Sequence, residues 1–165
     1  MESDFSVELH IFRSVGVNIT NIVPEKESAA YSACQFSTAD NAVMLFRKSK
    51  ITPTKNGQFV TLWKREGNGL IAPFGEEDNI RTIIIRVENN AQSGYFIFPA
   101  SVLCNQKIFT ANGKEGKRAF RVYPPWDKPE SKQAAATQKW QLQYFVEIKE
   151  GSLCDVKKAV GLFYD

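Results

Sequence analysis

The chemistry this sequence can perform is bounded first by what its reactive residues lack. His10 is the only histidine, so neither a histidine dyad nor a three-histidine metal site can be built. Cys34, Cys104 and Cys154 are odd in number, far apart and without a C-x-x-C pair. That spacing argues against a disulfide framework and against a zinc site. There is no G-x-S-x-G, and no cysteine has a second histidine to activate it, so a Ser or Cys triad has no base. No catalytic residue, metal ligand or cofactor is assigned on these grounds.

The acids offer one alternative. Glu115-x-Lys117 and Glu147-x-Lys149 share the acid-x-Lys spacing. In metal-dependent nucleases of the PD-(D/E)XK type such a pair on a strand holds Mg²⁺ and places a base, after a preceding Asp. Asp78 is the candidate for that Asp, but the acid that follows it, Glu88, leads into Asn89-Asn90 and not into x-Lys. A nuclease built on Asp78, Glu88 or Glu115 is therefore the alternative reading.

The cations carry the first reading. From Val43 to Arg65 there are six (Arg47, Lys48, Lys50, Lys55, Lys64, Arg65) and no acid, and Lys114, Lys117, Arg118 and Arg121 follow with only Glu115 among them. Segregated charge suits an anionic partner; a solvated basic face is the plain alternative. Gly113 to Arg118 is not a P-loop, which needs four residues between its glycines and a Ser or Thr after the Lys. Its successive amides and three cations could still hold a phosphate. Arg118, Arg121, Tyr123 and Trp126 interleave charge with rings, a pattern that lets cations hold phosphates while rings stack on bases. Trp126 follows Pro124-Pro125 and is expected in a loop, whereas Trp140 falls on an apolar helical stripe. The candidate anion-binding set is thus Arg47, Lys48, Lys50, Lys55, Lys64, Lys117, Arg118, Arg121, Tyr123 and Trp126, with DNA, RNA or nucleotides as ligand.

The elements that must position these residues follow from periodicity and punctuation. Residues 1–22 read as a strand or a helix. Pro24 opens a helix to about Phe36, proline being tolerated at a first helical position. Residues 42–51 and 58–65 alternate as strands around the Asn56-Gly57 turn and should pair as a hairpin, with Phe46 and Trp63 buried. RTIIIRVE (81–88) reads as a central strand, and YFIF (95–98) as a fourth, stopped by Pro99. A short helix covers 100–105, and 120–123 form a strand. Residues 131–146 give the strongest helical pattern, with Ala135, Ala136, Trp140 and Tyr144 on one side and Gln133, Gln138, Gln141 and Gln143 making it polar elsewhere. Ser152 and Asp155 resemble a capping box for a last helix to Val160. This order predicts one α/β (α+β) domain over 1–165, with a mixed, largely antiparallel sheet flanked by helices.

The 165 residues, with 43% hydrophobic and 24% charged content, can bury a core without staples. The first residues lack a signal-like apolar run, and no stretch is long enough to span a membrane, so a cytoplasmic protein is expected. Against this background four blocks, FRKSKITPTKNGQFVTLWKR (46–65), GYFIFPASVL (94–103), GKRAFRVYPPWD (116–127) and TQKWQLQYF (137–145), resemble the MepB family over most of 31–145. That family comprises small bacterial proteins, one encoded beside a multidrug efflux pump and its repressor. The resemblance implies a cytoplasmic domain similar to the PD-(D/E)XK nuclease core, with nucleic-acid or nucleotide binding. It also leaves room for an accessory ligand-binding or protein-interaction module linked to efflux.

Overall fold

The computed structural model describes residues 5–164. The first half of the described chain contains α1 (Ser6–Ser14), β1 (Ile19–Pro24), β2 (Cys34–Thr38), β3 (Val43–Lys48), β4 (Lys50–Ile51), β5 (Gln58–Thr61), β6 (Trp63–Arg65) and β7 (Ile71–Pro73). The second half contains β8 (Ile80–Glu88), β9 (Ser93–Pro99), α2 (Ala100–Asn105), β10 (Ala119–Val122), α3 (Lys132–Gln141), β11 (Phe145–Lys149), β12 (Ser152–Leu153) and α4 (Val156–Phe163).

Seven strands form the main sheet in the order β1-β2-β3-β8-β9-β11-β12. Only β3 and β8 run parallel; the other neighbours are antiparallel. The apolar run of β8 lies in the middle, as its β-branched sequence predicts. Its alternation feeds two cores at once: Ile84 packs with Phe12, Phe46, Tyr95 and Phe163 on one face. Ile83 and Ile85 pack with Val60, Phe98, Leu103 and Val122 on the other. Each such side chain contributes about 1.5–3 kcal/mol when fully buried. Residues of α1 and α4 belong to the first core, and those of α2, β5 and β10 to the second. The result is a mixed α+β fold with a mostly antiparallel sheet.

Several local expectations give way to tertiary pairing. The segments 42–51 and 58–65 do not pair along their length, for β3 lies in the main sheet while β5 joins a small sheet ordered β10-β5-β4. The hairpin survives only as Lys50 opposite Phe59 and Ile51 opposite Gln58. The break falls at Ser49, whose N–H bonds Arg86 O at 3.0 Å and whose hydroxyl bonds Gln58 Oε1 at 2.6 Å. Ser49 thus stays tied to β8 while the chain after it crosses to the second sheet. Phe46 is buried as expected, but Trp63 is only partly so.

The helix expected from Pro24 to Phe36 is absent. Pro24 ends a strand, and only the 3₁₀ turn Ala29–Tyr31 is helical, because Ser28 and Ser32 adopt left-handed backbone (φ 62° and 51°). Phe36 is buried from β2 instead. The helix at 131–146 stops at Gln141, passes through a 3₁₀ turn and leaves Phe145 and Val146 to a strand beside β9. Ser152 caps no helix; it lies in β12, and Asp155 caps α4 by accepting from Lys158 N at 3.0 Å. Gly161 does not end α4, which continues to Phe163. No helix among the described residues is long and apolar enough to cross a membrane.

Candidate nucleic-acid interface

The basic segment 43–65 loses most of its apparent charge on folding. Arg47 has no exposed side-chain surface and pairs with Glu25. Its Nε bonds Thr61 O at 3.2 Å and its Nη1 bonds Phe46 O at 2.9 Å. It is a buried link between β3, β5 and the chain after β1, not a surface anion contact. Burial pushes the Glu25 carboxyl above its ordinary range, against the attraction of Arg47. Lys48 pairs with Glu88 at 2.8 Å, and Lys64 with Asp78 at 2.8 Å. Arg65 pairs with Glu27 at 2.7 Å, and Arg118 with Glu115 at 2.9 Å. The acids that neutralise this stretch come from elsewhere in the chain, which is why a local charge count could not find them. Lys50 lies 4.8 Å from the centre of the Tyr31 ring, on the edge strand β4.

The loop 113–117 is likewise engaged within the protein. Lys114 N donates to Ala111 O at 3.0 Å, Gly116 N to Thr110 Oγ1 at 2.9 Å, and Lys117 N to Ile108 O at 2.9 Å. A Cβ on Gly116 would stand 2.3 Å from Ile108 O, so glycine is needed for this close approach. The amides expected to cradle a phosphate are therefore taken by the chain that precedes them.

Three of the expected residues do meet. A cleft of about 410 Å³ lies between β10 and α3, lined by Lys117, Arg121 and Tyr123 with Gln106, Thr137 and Gln141 among others. Arg121, Tyr123, Ser131 and Ala134 also line an adjoining depression of about 240 Å³ that includes Lys55 and Glu130. Lys55, Asn56 and Glu130 in turn line a third depression, of about 360 Å³, which reaches Trp126 and Asp127. Shared walls make the three depressions one interrupted groove. Among the described residues no carboxylate lies within ion-pair reach of Lys55, Lys117 or Arg121. Burial raises the Asp127 carboxyl above its ordinary range, opposed by a hydrogen bond from the Gly57 backbone.

The groove is built by small-sheet geometry. Pairing of Arg121 with Phe59 across β10 and β5 places the guanidinium 5.8 Å from the Phe59 ring, with Nη2 2.8 Å from Thr52 Oγ1 and Nη1 3.3 Å from Asn56 O. Gly57, at φ 77°, supplies the turn that the Asn-Gly pair predicts. Tyr123 lies directly over it. Trp126 is half-buried with its ring edge-on to Phe145 at 5.9 Å, so it is held against the core more than a free loop ring would be. Trp140 packs on Phe98 at 5.5 Å, the core role its position on the helix predicts.

Sequence reasoning missed the part played by Gln141. It is fully buried, and its carboxamide bonds Arg121 O and Tyr123 N, holding β10 against α3. The glutamines of that helix suggested a polar face, but nothing in their spacing marked one as a substitute strand partner.

The nuclease acids do not converge. Asp78 precedes β8 and Glu88 ends it, so the strand between them spans about 26 Å at the usual rise. Glu115 is committed to Arg118. No group of three or more His, Cys, Asp or Glu that could hold a metal occurs among the described residues.

Fold and groove together define a small α+β protein with a polar, cation-bearing cleft between a secondary sheet and a helix. The sequence pattern of the MepB-like family matches residues 25–147. The chain belongs to that family. A solved structure described as the crystal structure of MepB is 34% identical, with a TM-score of 0.78 over 90% of this chain and 99% of that one. The likeness therefore extends past the blocks quoted from the sequence. A second solved structure, of the bacterial homing endonuclease I-Ssp6803I, is 12% identical with a TM-score of 0.47 over 85% of this chain and 88% of that one. That likeness is too slight to carry the expected nuclease-core relationship. Comparison with curated proteins found no match.

Proposed function

We propose that this protein binds nucleic acid or nucleotides, without cleaving them, through the groove between β10 and α3. The observation that carries the proposal is the meeting of Lys55, Lys117 and Arg121 in one groove with Tyr123, with no carboxylate in ion-pair reach of any of the three cations. Cations left without acid partners in a concave site favour anions, and the phosphate is the anion that comes with a ring for Tyr123 and amide acceptors for glutamines. This reading also suits a cytoplasmic location, where such ligands are abundant.

The test is oligonucleotide binding followed by fluorescence anisotropy over a salt series. Phosphate contacts release counterions, so binding should weaken steeply with salt, and each lost contact should flatten the slope by about 0.7–0.9. Arg121→Ala, checked for folding by circular dichroism, is expected to bind more weakly for every sequence and with a flatter slope. Wild-type protein that binds no oligonucleotide or nucleotide at low salt would end this reading. Mg²⁺-dependent cleavage abolished by Asp78→Ala or Glu88→Ala would replace it with the nuclease.

A further inference from the structure

We infer that the ligand of the groove is an unpaired strand of roughly three nucleotides, one base to each depression, and not a duplex. This inference rests on the proposed function of the groove and concerns which form of nucleic acid fits it.

The argument begins with how the depressions join. The cleft at Lys117 and the middle depression share Arg121 and Tyr123 as their common wall. The middle depression and the one at Trp126 share Lys55 and Asn56. A cation thus stands at each of the two partitions, and a ring or amide group stands in each hollow: Gln106 and Gln141 in the first, Tyr123 in the second, Trp126 in the third. A single strand has that same alternation, with a phosphate between successive bases. Arg121 would take the phosphate between the first and second bases, and Lys55 the one between the second and third.

A duplex does not meet these features. Its bases are paired inward and its phosphates lie outside, so it can touch only the rims of hollows that run along one line. Duplex binding also draws on a broad basic face that neutralises many phosphates. Folding has removed that face here: Lys48, Lys64, Arg65, Arg81 and Arg118 each pair with a carboxylate, and Arg47 is buried. What remains in the groove is a short row of unpaired cations, set at the partitions. Asp127 and Glu130 at the far end would further disfavour the dense charge of a second strand.

The experiment measures binding of labelled oligothymidylates of one, two, three and six nucleotides, and of a duplex of the same length as the longest, by fluorescence anisotropy at low salt. Affinity is expected to rise at each step to the third nucleotide and then to change little per site. The six-nucleotide single strand should bind about tenfold or more tighter than the duplex, as stacking of even one base allows. Lys55→Ala should remove the gain from the third nucleotide while leaving binding of the dinucleotide intact. Duplex binding equal to or tighter than single-strand binding, with Arg121 still required, would overturn this inference and leave the proposed function standing. Affinity that is already maximal at one nucleotide would do the same, in favour of a nucleotide site. Absence of binding to every probe would overturn both.

Discussion

The side chain of Gln141 acts toward Tyr123 as the neighbouring strand of a sheet would. Tyr123 N donates to Gln141 Oε1 at 2.8 Å, and Gln141 Nε2 donates to Arg121 O at 2.9 Å. β10 is an edge strand of the small sheet, paired on one side by β5. One carboxamide therefore satisfies a donor and an acceptor on its open side and fixes the spacing between β10 and α3, which is the width of the main cleft. Leaving such buried groups unpaired costs about 1–3 kcal/mol each. Gln141→Leu is expected to lower stability by about 2–4 kcal/mol on that basis. Urea unfolding should show it, and Gln141→Glu, which keeps the acceptor but loses the donor, should fall between the two. A Gln141→Leu protein as stable as wild type would mean the carboxamide is not holding the strand.

Gly57 governs the position of Tyr123. A Cβ there would stand 2.6 Å from Tyr123 Cε1, and the backbone is already in the left-handed region at φ 77°. Gly57→Ala must displace the ring and strain the turn, at a cost of about 1–3 kcal/mol. Stability and oligonucleotide affinity should fall together, and the Tyr123→Ala protein should lose affinity with a smaller loss of stability. Unchanged affinity in both variants would remove Tyr123 from the site.

Arg47 and Glu25 test the distinction between a basic sequence and a basic surface. Removing one partner of a buried ion pair strands the other, a change that costs about 3–5 kcal/mol. Arg47→Ala should therefore unfold at much lower urea concentration, whereas Lys48→Ala, at a half-exposed pair, should change stability little. Arg47→Ala with wild-type stability and reduced oligonucleotide binding would return Arg47 to the surface set.

Glu8 gives the fold a pH dependence of definite sign. It lies buried on α1, where its Oε1 receives Arg86 Nη1 at 2.8 Å and Tyr95 OH at 3.2 Å. Burial raises its pKa above the ordinary 4.5, against the attraction of Arg86. An acid with a raised folded pKa takes up a proton on folding, so its contribution favours the fold below pH 4.5 and is lost as pH rises through the folded value. Relative to Glu8→Gln, which keeps both hydrogen bonds and cannot titrate, wild type should lose stability from pH 4.5 upward and then level off. Thermal melts of the two proteins across that range would show it; a difference that grows in the opposite direction would contradict the raised pKa.

How much of this was legible in the sequence depended on whether the deciding interactions were local. β8 could be read because three successive isoleucines declare a strand buried on both faces. The turn at Asn56-Gly57 and the short helix after Pro99 could be read because glycine and proline act through their own backbones. The partner of β5 could not, since its choice of β10 over β3 is made between residues about sixty positions apart. The fate of the cations was hidden for the same reason. Glu25 neutralises Arg47, Glu88 neutralises Lys48 and Asp78 neutralises Lys64, all from other segments. Of the ten expected contacts, those that line the run of depressions are Lys55, Lys117, Arg121, Tyr123 and Trp126. What they share is a place in the second sheet or its loops, away from acids that no spacing rule would have revealed.

The central claim concerns which surface binds, and backbone amide NMR tests it most directly. Titration of a short single-stranded oligonucleotide into isotopically labelled protein should shift the amides of 54–58, 117–123 and 131–141, the three walls of the groove. Those of α1 and α4, which cover the other face of the main sheet, should stay in place. Shifts concentrated on α1 and α4, or none at saturating oligonucleotide, would contradict the account.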